Sequence, residues 1–135
     1  MIDLSTLLLT AFYALFGILL MIVSNTIMDF FVPGDFAAEI KRGNCAVAWL
    51  SAGSFIGIGQ ILRAVILSPA YDAVPLSIVY AAVGIVFFVL GFFIIKMWHR
   101  KYALAEQIMR GNTAAGIFLF GVFVGLSLVI SGAVH

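Results

Sequence analysis

Arg42-Gly43-Asn44-Cys45-Ala46 returns 68 positions later as Arg110-Gly111-Asn112-Thr113-Ala114, and each copy stands directly ahead of an apolar run long enough to cross a bilayer. A chain with this feature must bring two polar turns to a membrane surface and send a helix across from each. Sliding the sequence by 68 aligns residues 39–65 with 107–133, and eight of the 27 pairs are identical: Ile40, Arg42, Gly43, Asn44, Ala46, Gly53, Phe55 and Gly57 with Ile108, Arg110, Gly111, Asn112, Ala114, Gly121, Phe123 and Gly125. An apolar bias yields some identities, but it does not put Arg-Gly-Asn and two glycines in register. The preceding runs agree as well, Tyr13-Ala14-Leu15-Phe16-Gly17 matching Tyr80-Ala81-Ala82-Val83-Gly84 at an offset of 67. The pattern reads as a duplicated two-helix unit.

Composition identifies the solvent. Of 135 residues 64% are hydrophobic and 10% charged, and the mean hydropathy is +1.23, far outside the range of soluble domains. In water the 13 Phe would leave large apolar patches uncovered; a bilayer removes the difficulty. A formal charge of +1 supplies no basic face for nucleic acid. With Cys45 alone, no internal disulfide forms.

In chain order, the first crossing is expected over residues 4–23, which carry no charge. Asp3 replaces the basic n-region of a secretory signal and the run exceeds a typical signal core, so the segment reads as retained. Ser24, Asn25 and Thr26 soften its end, Phe30 and Phe31 read as interfacial anchors, and Pro33-Gly34 stops any helix. Asp35 is placed as an N-cap for a short surface helix over 36–42, with Phe36 and Ile40 one turn apart. Gly43 ends that helix and Asn44 caps the next; Gly111 and Asn112 repeat the arrangement. The second crossing runs from Cys45 to about Leu67, and Ser68 to Asp72 form a turn. The third runs from about Pro75 to Ile95, a surface helix follows through Met109, and the fourth runs from Thr113 to Val134.

The sequence therefore predicts an all-α membrane protein, one domain over 1–135, with four transmembrane helices forming two parallel-oriented two-helix repeats (about 4–67 and 75–134) and short surface helices on the cytoplasmic side. Lys41, Arg42, Lys96, Arg100, Lys101 and Arg110, six of the seven Lys and Arg, fall in the first and third connections. The positive-inside tendency makes that side cytoplasmic and puts both termini outside, with Trp49 and Trp98 near the cytoplasmic interface.

Helix packing is expected at Gly53 and Gly57 of the second crossing and Gly121 and Gly125 of the fourth, each pair a small-xxx-small face, with Gly17 and Gly84 in corresponding places on the other two. The faces would pack the second helix on the fourth, or each on a neighbouring protomer. Catalytic constellations are missing: His99 and His135 fall at opposite membrane faces, Cys45 has no histidine nearby in sequence, and no phosphate loop follows a strand. No enzymatic activity, metal or cofactor is expected. Every acid (Asp3, Asp29, Asp35, Glu39, Asp72, Glu106) lies at an end or in a connection, which disfavours proton-coupled transport.

Arg63 is the one charge inside a span, roughly 7.5 Å from Ser68, close enough to snorkel outwards. The sharper reading has Gln60 and Arg63, one turn apart, line a water-filled vestibule that favours anions. Asn44 and Asn112 read as caps; under a pseudo-two-fold their helix starts could instead face an anionic group. Arg42 and Arg110 read as headgroup contacts.

The acidic surface segment, the Arg-Gly-Asn-x-Ala turn and the glycines at fixed spacing beyond it resemble the bacterial membrane family called domain of unknown function 350, the YjfL-like inner-membrane proteins, over residues 5–134. The resemblance implies a bacterial inner-membrane location and makes Asn44, Asn112, Gly53, Gly57, Gly121 and Gly125 family-type positions; it brings no established activity. The halves differ where Gln107 stands for Glu39, and where Leu128 and Ser131 stand for Gln60 and Arg63. The expected role is a non-enzymatic membrane protein that packs through glycine faces into a homo-oligomer or against other membrane subunits, with its cytoplasmic turns open to a soluble partner. The alternative is an oligomeric channel or transporter subunit for small ions.

Overall fold

The computed structural model describes residues 3–31, 35–67, 74–98 and 104–134, and among them there are helices and no strands. Pro33-Gly34, the Ser68 to Asp72 turn, His99, Arg100, Lys101 and His135 lie outside the described residues, as do the side chains of Phe30, Phe31 and Lys96. The order is α1 (Leu4–Phe31), α2 (Phe36–Lys41), α3 (Cys45–Leu67), α4 (Val74–Trp98), α5 (Leu104–Met109) and α6 (Thr113–Val134). Four of these, α1, α3, α4 and α6, are long and apolar enough to cross a membrane.

Two boundaries differ from the sequence reading. α1 continues through Ser24-Asn25-Thr26 to Phe31; the Thr26 hydroxyl turns back to donate to the Ile22 carbonyl (2.9 Å), and Ser24 is buried against protein. At its other end, Asp3 accepts hydrogen bonds from the Ser5 hydroxyl and backbone N–H, which hold its carboxyl below the usual carboxylate range. α4 starts one residue earlier than expected and ends at Trp98, with Pro75 in its first turn, where the missing N–H has no helical partner to lose.

α3 is the central element: 56% of an 18-residue stretch of it is buried, against 0%, 22% and 33% of such stretches of α1, α4 and α6. Its buried residues run the length of the helix along about half of its circumference, from Ala46 and Val47 through Leu50, Gly57, Ile58 and Ile61 to Val65. α3 and α6 lie side by side and parallel, since Gly116 of α6 meets Ala46 near one end and Gly53 and Gly57 meet Phe120 and Phe123 further along. α1 is antiparallel to α3 and packs Phe16, Leu20 and Met21 against the core, with a Cβ at Gly17 falling 3.8 Å from Leu62. α4 packs on both through an aromatic stack in which Phe123 lies between Phe88 (5.0 Å) and Phe92 (5.3 Å). Lipid supplies no hydrophobic drive for helix association, so close packing of this kind has to supply it.

Short helix α2 buries Phe36 and Glu39 and leaves Ile40 47% exposed. The Glu39 carboxylate faces inward because the Asn44 amide donates to it (2.9 Å).

Candidate functional site

The two Arg-Gly-Asn turns are built by the same backbone hydrogen bonds. After α2, the Gly43 N–H donates to the Ile40 carbonyl (3.0 Å) and the Asn44 N–H to that of Glu39 (2.9 Å); after α5, Gly111 donates to Ile108 (3.0 Å) and Asn112 to Gln107 (3.0 Å). This is the Schellman arrangement, which needs a left-handed residue at its corner. Gly43 (φ 84°) and Gly111 (φ 81°) are the positive-φ residues that provide it. Each asparagine then caps the following helix. Asn44 Oδ1 accepts from the N–H groups of Ala46 (3.1 Å) and Val47 (3.3 Å), and Asn112 Oδ1 from that of Ala114 (3.1 Å).

The amide nitrogens separate the two turns. Asn112 Nδ2 donates to Gln107 Oε1 (3.1 Å) within its own turn. Asn44 Nδ2 donates to Glu39 Oε2 (2.9 Å) and also reaches across to the backbone carbonyl of Ile108 (2.9 Å). The converse bond, from Asn112 to Ile40, is not made by either of the Asn112 side-chain contacts. The substitution of Gln107 for Glu39 keeps the same acceptor for the asparagine. The arginines adjust to it: Arg42 pairs with Glu39 three residues back, and Arg110 with Glu106 four residues back. Both arginines are largely exposed, so each ion pair contributes at most about 1 kcal/mol and leaves the guanidinium reachable by a headgroup.

For an anion, the α3 start is poorly disposed. Its cap donors are taken by Asn44, and the Glu39 carboxylate sits beside it.

The glycines divide unevenly. A Cβ at Gly53 would fall 2.9 Å from Phe120 Cα, and one at Gly57 would fall 2.6 Å from the Phe88 ring and 3.2 Å from the Phe123 carbonyl oxygen. Gly84 faces Ile61 at 2.6 Å. Gly17 has ordinary contact with Leu62. Gly121 and Gly125 have no such neighbour within 4 Å, so within this chain the fourth crossing does not bring them to the second. The reason is the rotation of α6: Phe123 enters the core, and at about 100° per residue Gly121 and Gly125 then lie on the opposite side. The glycine of α6 that does meet α3 is Gly116, whose Cβ would sit 2.5 Å from the Ala46 carbonyl oxygen. Its equivalent in the first half is Ala48, so alignment by repeat gave no signal.

Gln60 and Arg63 line a cleft of about 580 Å³ between α3 and α6, at the end of the span remote from the Arg-Gly-Asn turns. Their counterparts in the repeat alignment, Leu128 and Ser131, form the opposite wall. Arg63 also borders a second hollow of about 500 Å³ between α1 and α3.

A polar layer escaped the sequence reading. The hydroxyls of Ser24, Ser51 and Ser54 and Oδ1 of Asn25 are buried without a hydrogen-bond partner among the described residues. Gly17 on Leu62 fixes the antiparallel register of α1 and α3, which brings Ser24 and Asn25 to the level of Ser51 and Ser54. Ser51 and Ser54, three residues apart, were the available signal.

Comparison with known proteins adds three findings. The family described as Domain of Unknown Function (DUF350) matches residues 1–134. The UPF0719 transmembrane protein YshE of Bacillus subtilis (strain 168) is 24% identical over 126 residues, covering 93% of this chain and 92% of that protein. No solved structure matches.

Proposed function

The chain belongs to the Domain of Unknown Function (DUF350) family, and on that premise we propose that it is a non-enzymatic subunit of the bacterial inner membrane that assembles with further copies or other membrane subunits through the glycine face of α6. The observation that carries the reading is the unequal use of glycine. The α3 glycines Gly53 and Gly57 are spent on contacts inside the chain, whereas Gly121 and Gly125 are one turn apart on α6 and meet no neighbour within 4 Å. In a bilayer such a face lets a second backbone approach closely. The two halves are read as a head-to-tail duplication with both Arg-Gly-Asn turns on the cytoplasmic side and both termini outside, leaving the turns open to a soluble partner.

The test uses a Cys45→Ser background with a single cysteine at Gly125 or, as a control on a different helix, at Leu15 of α1, which is 68% exposed. Disulfide-linked dimers at 125 and not at 15, together with a native mass above one chain in mild detergent, are the expected result. A stable monomer with no co-purifying protein would overturn it.

A second reading, a channel or transporter subunit for small ions, is favoured by Gln60 and Arg63 in the α3–α6 cleft. Arg63→Glu would then alter conductance in a reconstituted bilayer. Wild-type protein that passes no current would end that reading.

A further inference from the structure

We propose that the end of the span remote from the Arg-Gly-Asn turns is a binding site for one anionic phospholipid, with its phosphate on Arg63 and an acyl chain in the hollow between α1 and α3. A cleft of mixed polarity and an apolar groove meet there. The α3–α6 cleft offers Gln60, Arg63 and Ser131, and the α1–α3 groove is lined by apolar residues such as Met21, Leu62 and Ile66; Arg63 and Leu67 belong to both. Each cavity is open at a glycine. A Cβ at Gly132 in the cleft or at Gly59 in the groove would meet nothing within 4 Å.

Arg63 is exposed within an apolar helix and makes no hydrogen bond or ion pair with any described residue. A guanidinium in that position is costly unless it finds a partner. It stands four residues before the end of α3, about 6 Å, within reach of the depth at which headgroup phosphates lie. A phosphodiester presents two oxygens that match the guanidinium fork. Among the described residues neither cavity is lined by an Asp or Glu, so the ammonium of a zwitterionic lipid finds no carboxylate on those walls. A glycerol headgroup does find partners. The Ser131 hydroxyl donates to the Leu128 carbonyl (3.0 Å) and so offers an acceptor outward, and the Gln60 amide both donates and accepts. A free anion would use the cleft alone; the apolar groove that shares Arg63 is what selects a lipid.

Native mass spectrometry of the detergent-purified protein tests this with three probes: phosphatidylglycerol, phosphatidylethanolamine of the same chains, and glycerol 3-phosphate. Wild type is expected to retain one phosphatidylglycerol, in preference to phosphatidylethanolamine, and no glycerol 3-phosphate. Arg63→Gln should weaken retention about tenfold, corresponding to one lost charge-assisted contact, and Arg63→Lys should restore part of it. Gly59→Phe fills the groove without touching the charge and should also reduce retention, with the number of protomers unchanged. Should Arg63→Gln fail to fold, Gly59→Phe and Gly132→Leu carry the test alone. Equal retention of the two lipids, retention unaffected by any of these variants, or glycerol 3-phosphate binding as tight as the lipid would overturn the proposal. A change in protomer number on Arg63→Gln with lipid retention intact would also overturn it, placing a second copy in the cleft. Because lipid count and oligomeric mass are read separately, this proposal and the assembly through α6 can fail independently.

Discussion

Asn44 and Asn112 occupy the same place in two copies of one turn, yet they carry different loads. Each oxygen caps a helix, but only the Asn44 amide also joins Glu39 to the Ile108 carbonyl of the other turn. A cap-compatible change is therefore not equivalent at the two positions. Asn44→Asp keeps the cap and replaces an amide donor with a carboxylate facing Glu39 and a carbonyl; it should destabilise by about 1–3 kcal/mol. Asn112→Asp should be nearly neutral, since the Gln107 amide can turn to donate. Thermal unfolding in detergent compares them, and equal losses would mean that the bridge to Ile108 carries no weight. Gly43→Ala should cost about 1–2 kcal/mol through backbone strain alone, because φ is 84° and a Cβ there has open space around it. These residue-level features were largely legible in the sequence. A glycine followed by an asparagine ahead of an apolar run specifies the corner and the cap by local chemistry. The bridge to Ile108 was not legible, since it depends on where the other turn lies.

Among the elements, α6 is the one for whose glycine face the sequence left two partners open, the second crossing or a neighbouring protomer, and within the chain that face does not meet α3. Glycines at 121 and 125 match those at 53 and 57 in spacing, but Phe123 stacks between Phe88 and Phe92 and thereby sets the rotation of the helix. Close approach to α3 falls instead on Gly116. Gly116→Ala would drive a methyl group into the Ala46 backbone at 2.5 Å, where no side chain can yield, and should cost about 2–3 kcal/mol by forcing α3 and α6 apart. Gly125→Ala meets no atom within the chain and should leave the isolated protomer as stable as wild type or more so, by up to about 1 kcal/mol from helix propensity. Reversible unfolding from detergent micelles reads both. Should the two variants respond alike, the orientation of α6 described above would be wrong.

For the whole molecule, the parallel course of α3 and α6 has a consequence for accessibility. Cys45 and Thr113 each follow an Arg-Gly-Asn turn, both are exposed, and both stand at the start of their helices. An impermeant maleimide should label Cys45, and Thr113→Cys in a Cys45→Ser background, from the same membrane face and from that face only. Labelling from opposite faces would separate the turns and with them the contact of Asn44 with Ile108. α1, of whose described residues Ser24 alone is buried, depends least on the rest of the chain. Ala substitutions along its outer face, as at Leu15 (68% exposed), should change unfolding by less than about 0.5 kcal/mol.

By itself the sequence determined the membrane solvent, four helices of spanning length, the two glycine corners and their asparagine caps. Each of these follows from local chemistry: length against bilayer thickness, backbone conformation at glycine, and hydrogen bonding at a helix start. Tertiary structure alone decided that α3 takes the centre, that α6 shows α3 Gly116 and turns Gly121 and Gly125 away, that Glu39 is buried, and that Gln60 and Arg63 share a cleft with Ser131. A helix apolar on all sides carries no stripe to say which side faces its neighbour, so its rotation is fixed only when large side chains such as Phe88, Phe92 and Phe123 find room together.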